Sequence, residues 1–290
     1  MENTLYETFH ETSPLGISFA WFTNSGGHHP LHWHDEVEIL FPLSGEADIV
    51  IDGSRHNLLK RHLLVVESGQ VHSSHSETGS AMFLCIHFSK TSLKYYLPNI
   101  ETFYIDCLPD GVPDDQFVHY LKLCKQLEYL TQLYIEDPLT FYLKADGIIL
   151  QVIASLIEHF SITHISETAS LDALTINRIH QVIAYVEQNF RNHVSLEEIA
   201  AQLGFSKEYF CRFFKKNLGI SFLQYVNEIR ISYIYYDLLH TDLSILEIME
   251  KNGFTNQKLF NQMFKKIYGC TPTEARKKSP SPKLLCLQKQ

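Results

Sequence analysis

The sequence predicts an α+β protein in which an antiparallel β-barrel with flanking helices precedes an all-α domain. Three observations support this fold class. Short β-type segments fill residues 17–88, helical periodicity begins near residue 113, and a helical motif occurs twice after residue 176. At 290 residues the chain is long enough for two domains.

The β-type part of the chain, about residues 17–105, consists of short segments rich in Val, Ile and aromatic residues and separated by Gly or Ser. Several of these segments alternate in hydrophobicity with a period of two. This pattern is typical of an antiparallel barrel or sandwich. The Asp52-Gly53 pair between two such segments predicts a β-hairpin.

Two helices with apolar stripes are predicted within residues 113–160. The stripes must be buried against the β-barrel or against a second copy of the chain, and we expect a homodimer. Residues 161–175 are polar and rich in Ser and Thr, which favours a linker. The predicted domains are therefore 1–160 and 176–290.

The formal charge is divided unevenly between these domains. The net charge is -9, yet residues 176–290 carry 16 Lys and Arg against 10 Asp and Glu. Residues 1–175 carry 8 basic and 23 acidic residues. The basic second domain suits a polyanionic partner, whereas the acidic first domain would be repelled by one.

Location signals in the sequence favour the cytoplasm. The first ten residues lack the basic and apolar regions of a signal peptide, and no apolar run approaches the roughly 18 residues of a membrane span. The six cysteines form no CxxC motif, so we expect free thiols in a reducing compartment.

The second domain contains an internal repeat. One copy, beginning at Ser195, is SLEEIAAQLGFSKEYFCRFFKKNLGIS, and the other, beginning at Ser244, is SILEIMEKNGFTNQKLFNQMFKKIYGCT. Each copy predicts a helix, a tight turn at Gly204 or Gly253, and a second helix. Two phenylalanines four residues apart place one face of each second helix in the core.

The opposite face of each second helix is polar and predicts a surface that reads double-stranded DNA. Its side chains include the types that contact base edges and phosphates in the major groove. The candidates are Ser206, Lys207, Glu208, Cys211, Arg212 and Lys215 in the first copy, and Asn256, Gln257, Lys258, Asn261, Gln262 and Lys265 in the second. A helix of residues 221–240 between the copies would span about 30 Å, close to the spacing of adjacent major grooves.

Residues 177–278 resemble the DNA-binding domain of AraC/XylS-type transcription regulators, because the order and spacing of both half-motifs match. The resemblance implies that the two second helices enter adjacent major grooves. It also implies a transcription regulator rather than an enzyme, with RNA polymerase as a further partner if the protein is an activator.

The stretch HHPLHWHDEVEIL, residues 28–40, concentrates histidines and acidic residues. If residues 32–40 form one strand, His32, His34 and Glu38 share one face, while Trp33 points away and packs under the middle helices. His28 and His29 fall in a Gly-flanked segment, which predicts a solvated loop.

The spacing of His32, His34 and Glu38 resembles the first cupin motif, and the segment ending in His72 resembles the second. The resemblance implies that these four side chains meet inside the barrel, where they would suit Zn, Fe, Mn or Ni. The second motif is degraded, because Arg61, Glu67 and Ser76 stand where cupins usually have Gly, Pro and Asn.

Cupin-like sensor domains joined to AraC-type domains resemble this chain in order and size, and they mostly bind a small molecule without a metal. We therefore expect His32, His34, Glu38 and His72 to line an effector pocket for a sugar or another small polar molecule, with no cofactor. Trp21 is expected to stack on the sugar, and His87 to face the lumen. A metal held by the first four residues, in an enzyme or a metal sensor, and a ligand-free dimerisation domain in a repressor are the alternatives.

Overall fold

The computed structural model describes residues 13, 15–23, 28–76, 81–136, 139–163 and 169–278. The predicted fold class is confirmed, because antiparallel sheets form the first domain and helices form the second.

Described strands all belong to the first domain. Their bounds are β1 Ile17–Thr23, β2 His28–His32, β3 Val37–Ser44, β4 Ala47–Ile51, β5 Ser54–Leu58, β6 Leu64–Val66, β7 His72–His75, β8 Met82–Phe88, β9 Phe103–Ile105 and β10 Ser161–Thr163. Short 3-10 helices cover Thr91–Tyr95, Ile100–Thr102 and Pro109–Gly111.

Described α-helices complete the first domain and build the second. Their bounds are α1 Phe117–Glu136, α2 Phe141–Phe160, α3 Ala169–Asn189, α4 Leu196–Gln202, α5 Lys207–Leu218, α6 Phe222–His240, α7 Ile245–Lys251, α8 Gln257–Tyr268 and α9 Pro272–Lys278. Among the described residues, no helix combines the length and the apolarity that a bilayer span requires.

The strands form two four-stranded antiparallel sheets and one small pair, β9 with β10. Sheet I has the order β1-β8-β3-β6, and sheet II has the order β2-β7-β4-β5. In the part of the chain that the structure describes, no strand of sheet I is hydrogen-bonded to a strand of sheet II. The predicted barrel is therefore corrected to an open pair of sheets, since the edge strand β6 has only three residues with which to bridge them.

Sheet I is covered on both faces. One face packs on α1 and α2. On that face Ile39, Phe41, Leu84 and Ile86 share a core with apolar residues of these helices, including Leu127 of α1. Its other face packs on sheet II through a second apolar cluster, Leu40, Ile49, Ile51, Val66 and Cys85. The order of layers is thus helices, sheet I and sheet II.

Strand β2 is an edge strand of sheet II and is irregular. The pairing of β2 with β7 shifts between His29 and His32, at the position of Pro30. Proline has no backbone N–H and is tolerated at sheet edges and bulges. The predicted hairpin at Asp52-Gly53 is present between β4 and β5, and both residues have positive φ angles, as a type I′ turn requires.

The second domain is two helix-turn-helix units joined by α6. Ser195 and Ser244 cap α4 and α7, and Ser244 forms a capping box with Glu247. Asn256 caps α8, because its side chain accepts from the backbone N–H of Leu259. The α4–α5 unit and the α7–α9 unit pack in two separate apolar cores.

Parts of the predicted linker are in regular structure. Residues 161–163 pair with β9, and α3 begins at Ala169. Residues 164–168 lie outside the described residues, and the domain boundary stays a prediction. No disulfide joins the cysteines that the structure describes.

Gly253 joins the second helix-turn-helix unit to the end of α3. Its φ is +70°, and a Cβ there would lie 2.4 Å from the carbonyl oxygen of Arg191. Gly204, the equivalent turn residue of the first unit, has φ +71° with no atom near the same position. The two glycines thus have the same left-handed backbone conformation, but only at Gly253 would a side chain clash with neighbouring atoms.

We predict that Gly253→Ala destabilises the second domain more than Gly204→Ala does. The left-handed backbone costs each alanine about 1–2 kcal/mol, and the clash at residue 253 adds about 1–3 kcal/mol. Urea unfolding followed by circular dichroism measures both free energies. Equal losses in the two variants would show that the turn of the second unit does not press on α3.

Candidate functional site

A cluster of titratable side chains lies between the two sheets of the first domain. His32 ends β2 and His72 begins β7, and the two residues are register partners in sheet II. Glu38 on β3 and His87 on β8 are register partners in sheet I. His34 lies in the connection between β2 and β3. The structure therefore brings together five of the six residues predicted for the effector pocket.

Glu38 is the centre of this cluster. Its Oε2 lies 2.9 Å from Nε2 of His72 and 3.5 Å from Nε2 of His34, and its Oε1 lies 3.6 Å from Nε2 of His87. The carboxylate is only 5% exposed. A buried carboxylate needs compensating donors or positive charge, and the imidazoles are positioned to supply them.

Three imidazoles of the cluster are oriented by the same kind of backbone contact. In each, Nδ1 lies at hydrogen-bond distance from a backbone carbonyl two residues away: His32 to Pro30 at 3.0 Å, His34 to Glu36 at 2.9 Å, and His72 to Gln70 at 3.0 Å. Since a carbonyl oxygen only accepts, these contacts favour the proton on Nδ1. Nε2 then carries the lone pair and faces the cluster.

Among the described residues, three polar atoms at the centre of the cluster have no hydrogen-bond partner of good geometry. They are Nε2 of His34, Nε2 of His72 and Oε2 of Glu38, all three buried. A lone pair facing a carboxylate at 2.9 Å is repulsive unless a proton or another cation lies between the two atoms. The cluster is therefore built to take up a positive charge or a donor group.

Electrostatics divide the cluster into charged and neutral groups. Burial by itself would raise the pKa of Glu38, but once Nε2 of His34 or His72 carries a proton, hydrogen bonds and positive charge from these imidazoles outweigh burial and hold that pKa well below its usual range. Burial opposes the charged form of His34 as well, yet Glu38 raises its pKa. Burial, followed by repulsion from His72, holds the pKa of His32 well below its usual range.

Cys85 joins the cluster and was not among the predicted residues. Its Sγ donates to Oε1 of Glu38 at 2.9 Å and lies 3.5 Å from Nδ1 of His87. Cys85 and His87 are i and i+2 on β8, so strand periodicity places their side chains on one face. That spacing is the sequence signal from which Cys85 could have been predicted.

Trp21 does not reach the cluster. Its ring stacks on Tyr134 of α1 at 4.0 Å and packs against Phe141 of α2, on the helix-covered face of sheet I. Phe19 has the same parity and also contacts Phe141. The prediction that Trp21 stacks on an effector is wrong because both faces of β1 are covered and its odd positions face the helices.

The region around His28 and Trp33 also differs from the prediction. His28 and His29 lie on β2 rather than in a solvated loop, and burial lowers the pKa of His28 to about 3. Trp33 points away from the cluster as predicted, but it stacks on His180 of α3 instead of packing under α1 and α2. Residues 33–36 form a connection that splits the single strand predicted for residues 32–40.

The residues that depart from the second cupin motif have structural roles. Arg61 has φ +65°, the left-handed conformation that the usual glycine adopts freely, and its side chain pairs with Glu128 of α1 at 2.7 Å. Glu67 is buried and pairs with Lys90 at 2.6 Å. Ser76 donates to the carbonyl of Glu46 at 2.9 Å.

The predicted DNA-reading residues form two solvent-exposed helix faces in the second domain. On or beside α5 these are Ser206, Lys207, Glu208, Cys211, Arg212 and Lys215, and on or beside α8 they are Asn256, Gln257, Lys258, Asn261, Gln262 and Lys265. All twelve residues are exposed although the first domain is present. Ser206 and Asn256 use their side chains as helix caps, and Lys207 pairs with Glu197 at 2.5 Å.

The fold and these two sites define a class of protein: a DNA-binding regulator with a separate ligand-binding domain. A helix-turn-helix domain model matches residues 188–278, and a model of the AraC-like ligand-binding domain matches residues 22–153. The chain belongs to the AraC family of transcription regulators, as both domains and their order indicate.

Among relatives, the HTH-type transcriptional activator RhaS of Mannheimia succiniciproducens is 25% identical over 85% of this chain and 89% of its own length. The Msm operon regulatory protein of Streptococcus mutans is 28% identical over 54% of this chain and 55% of its own length. Among solved structures, apo ToxT from Vibrio cholerae aligns with TM-score 0.45 and 14% identity, over 90% of this chain and 97% of that chain.

The neutral imidazole of His87 predicts an acid-sensitive first domain. Burial lowers the pKa of His87 to about 3, whereas an unfolded histidine titrates near 6.5. The unfolded state therefore binds more protons than the folded state between these values, and stability falls as pH is lowered through this window. The depressed pKa of Glu38 adds a loss in the same direction below about pH 4.5.

We expect that, between pH 6.5 and 4.5, the free energy of unfolding of His87→Gln falls less steeply with decreasing pH than that of the wild type, by up to about 1.4 kcal/mol per pH unit. Urea unfolding followed by the fluorescence of Trp21 and Trp33 reports on the first domain. His56→Gln, on the hairpin strand β5, is the matched control and should keep the wild-type slope. A wild-type slope in His87→Gln would mean that the imidazole is not held neutral.

Proposed function

We propose that the protein is a sequence-specific activator of carbohydrate-metabolism genes whose DNA binding is controlled by a sugar in the cluster around Glu38. One observation carries the proposal: buried polar atoms that lack a partner of good geometry among the described residues lie in the ligand-binding domain of a chain whose DNA-reading faces are exposed. DNA is the partner of the second domain, and RNA polymerase is the partner that an activator requires. Work on DNA fits a cytoplasmic location.

A sugar suits the cluster because its hydroxyl groups donate hydrogen bonds. A hydroxyl also accepts, so it can bond to Oε2 of Glu38 and to Nε2 of His34 or His72 whether that nitrogen carries a lone pair or a proton. The relatives point the same way for activation, since RhaS is named a transcriptional activator. Sensing fits the site better than catalysis, because the departures Arg61, Glu67 and Ser76 serve packing.

A transition-metal ion is the second candidate effector, and one observation favours it. His32, His34 and His72 each offer one ring nitrogen, and these three atoms lie within 4.8 Å of one another. The backbone contacts of Nδ1 resemble those that orient metal-binding histidines, and Glu38 adds a carboxylate. The donor set therefore fits a metal such as Zn²⁺, which would stabilise the neutral imidazoles.

A homodimer is proposed through the solvent side of α1. Val118, Leu121, Tyr129 and Ile135 are exposed there, at 73%, 43%, 52% and 76%. Exposed apolar side chains on one helix are suited to burial against a second copy. A dimer would place two pairs of DNA-reading helices on one operator.

A thermal-shift panel on the EDTA-treated full chain tests the effector. We expect one mono- or disaccharide to raise the melting temperature by several degrees, since ligand at about 100 times its Kd adds about 2.7 kcal/mol. ZnCl2 is tested in the same panel. A rise in melting temperature with Zn²⁺ and with none of the sugars would indicate that the effector is a metal ion.

Glu38→Gln is the matched control for this panel, because it keeps the shape of the side chain and removes the charge. The variant should lose the shift produced by the effective compound. A sugar that stabilises wild type and Glu38→Gln equally binds elsewhere, and a panel without any stabilising sugar would contradict the sugar proposal.

The exposed faces of α5 and α8 predict that one substitution on each helix affects DNA binding in a different way. Arg212→Ala should weaken binding by about 1–3 kcal/mol and relax the preference at one base pair, because arginine reads guanine edges. Lys265→Ala on α8 should instead weaken binding evenly and reduce the salt slope by about one. Quantitative footprinting on operator libraries at several salt concentrations separates the two. Unchanged affinity and preference in Arg212→Ala would show that this face does not read DNA.

A further inference from the structure

Strands β2 and β7 carry two different sets of residues on their opposite faces. His32 and His72 face the cluster between the sheets. Their chain neighbours Leu31 and Val71 face the other way, and both are almost fully buried. These two residues belong to the apolar core of the α4–α5 unit, which includes α3 and the first half of α6.

Polar contacts reinforce this docking at the ends of both strands. The ring of Trp33 stacks on His180 of α3 with centroids 3.6 Å apart and planes inclined by 2°. Nε2 of His180 donates to the carbonyl oxygen of Gly69, before β7, at 2.8 Å. The hydroxyl of Tyr225 on α6 donates to the carbonyl oxygen of Leu31 at 3.3 Å. The outer surface of the strand pair is thus bound to α3 and α6.

The docking involves one helix-turn-helix unit and leaves the other apart. The apolar core of the α7–α9 unit contains no described residue of the first domain. A small open cleft lies between the domains, and His32 lines it from one side and Tyr233 from the other. A residue of the cluster therefore lies at the edge of the docking surface itself.

We infer that β2 and β7 transmit the state of the Glu38 cluster to the first helix-turn-helix unit through this docking surface. The inference rests on the proposed function of the cluster as the effector site. Packed strands do not deform continuously, so a shift of His32 or His72 moves Leu31 and Val71 on the opposite face. The docking of α3 and α6 then differs between the two states of the cluster, as control of DNA affinity requires.

The test uses the full chain and substitutions rather than an unidentified effector. Glu38→Gln changes the cluster from within, Trp33→Ala removes the docking stack, and His180→Ala removes the same stack from the other domain. Hydrogen exchange of residues 176–189 in α3 reports docking. We expect Trp33→Ala and His180→Ala each to speed exchange there by about tenfold or more, and Glu38→Gln by about threefold or more.

Coupling is read from a double-mutant cycle. Glu38→Gln should change exchange in α3, and the Kd for operator DNA, in the wild-type background but in neither docking variant. Trp21→Ala, which removes a stack on the opposite side of sheet I, is the control and should leave α3 unchanged. Equal effects of Glu38→Gln with and without the stack would overturn the inference, and so would α3 exchange that Trp33→Ala and His180→Ala leave unchanged.

Two further results keep the inference separate from the proposed function. If no compound in the thermal-shift panel binds while Glu38→Gln still alters exchange in α3, the effector proposal fails and the coupling stands. If a compound binds the cluster and α3 exchange stays constant, the coupling fails and the effector site stands. Circular dichroism and Trp21 fluorescence establish that the Trp33→Ala chain is folded, and His180→Ala serves as the second variant if it is not.

Discussion

A buried carboxylate organises the first domain. Glu38 lies between two sheets with almost no solvent contact, and the described groups that lie next to its carboxylate come from several different segments. Sheet II contributes His72, sheet I contributes His87 and Cys85, and a connection contributes His34. Because an unpaired charge in this position would cost several kcal/mol, the sheets must approach each other closely at this point. The open pair of sheets is thus held together by a polar contact as well as by apolar packing.

Strand periodicity and the resemblance to the cupin motifs predicted most of this cluster but misplaced one aromatic residue. The structure brings His32, Glu38, His72 and His87 together between the sheets, whereas their role as effector ligands stays a prediction. Trp21 was misplaced because sheet I has helices on one face and sheet II on the other. With both faces buried, apolar residues occupy both parities, and alternation cannot tell which face meets the second sheet.

Local signals made the second domain predictable, whereas contacts between the domains were not. Serine caps, turn glycines and paired phenylalanines act within a few residues, so the sequence predicted both helix-turn-helix units. The contact of Trp33 with His180 joins residues that are far apart in the chain and depends on how two finished domains meet. Similarly, Leu31 and Val71 resemble ordinary core residues of a strand, and the neighbouring sequence does not indicate which helices cover them.

The position of the docking surface limits how an effector can act. All twelve candidate DNA-reading residues are exposed while the α4–α5 unit is docked, so the first domain does not cover the surfaces that would enter the grooves. In the proposed coupling, a change in docking acts on the placement of α5 relative to α8. Because α6 joins the two units and its first half contacts the first domain, strain at Leu31 or Tyr225 reaches the helix that sets their separation. Two recognition helices bind adjacent grooves together only when that separation matches the DNA repeat. The proposed coupling therefore acts through the spacing of the recognition helices, whereas the exposed DNA-reading faces give no support to steric blocking by the first domain.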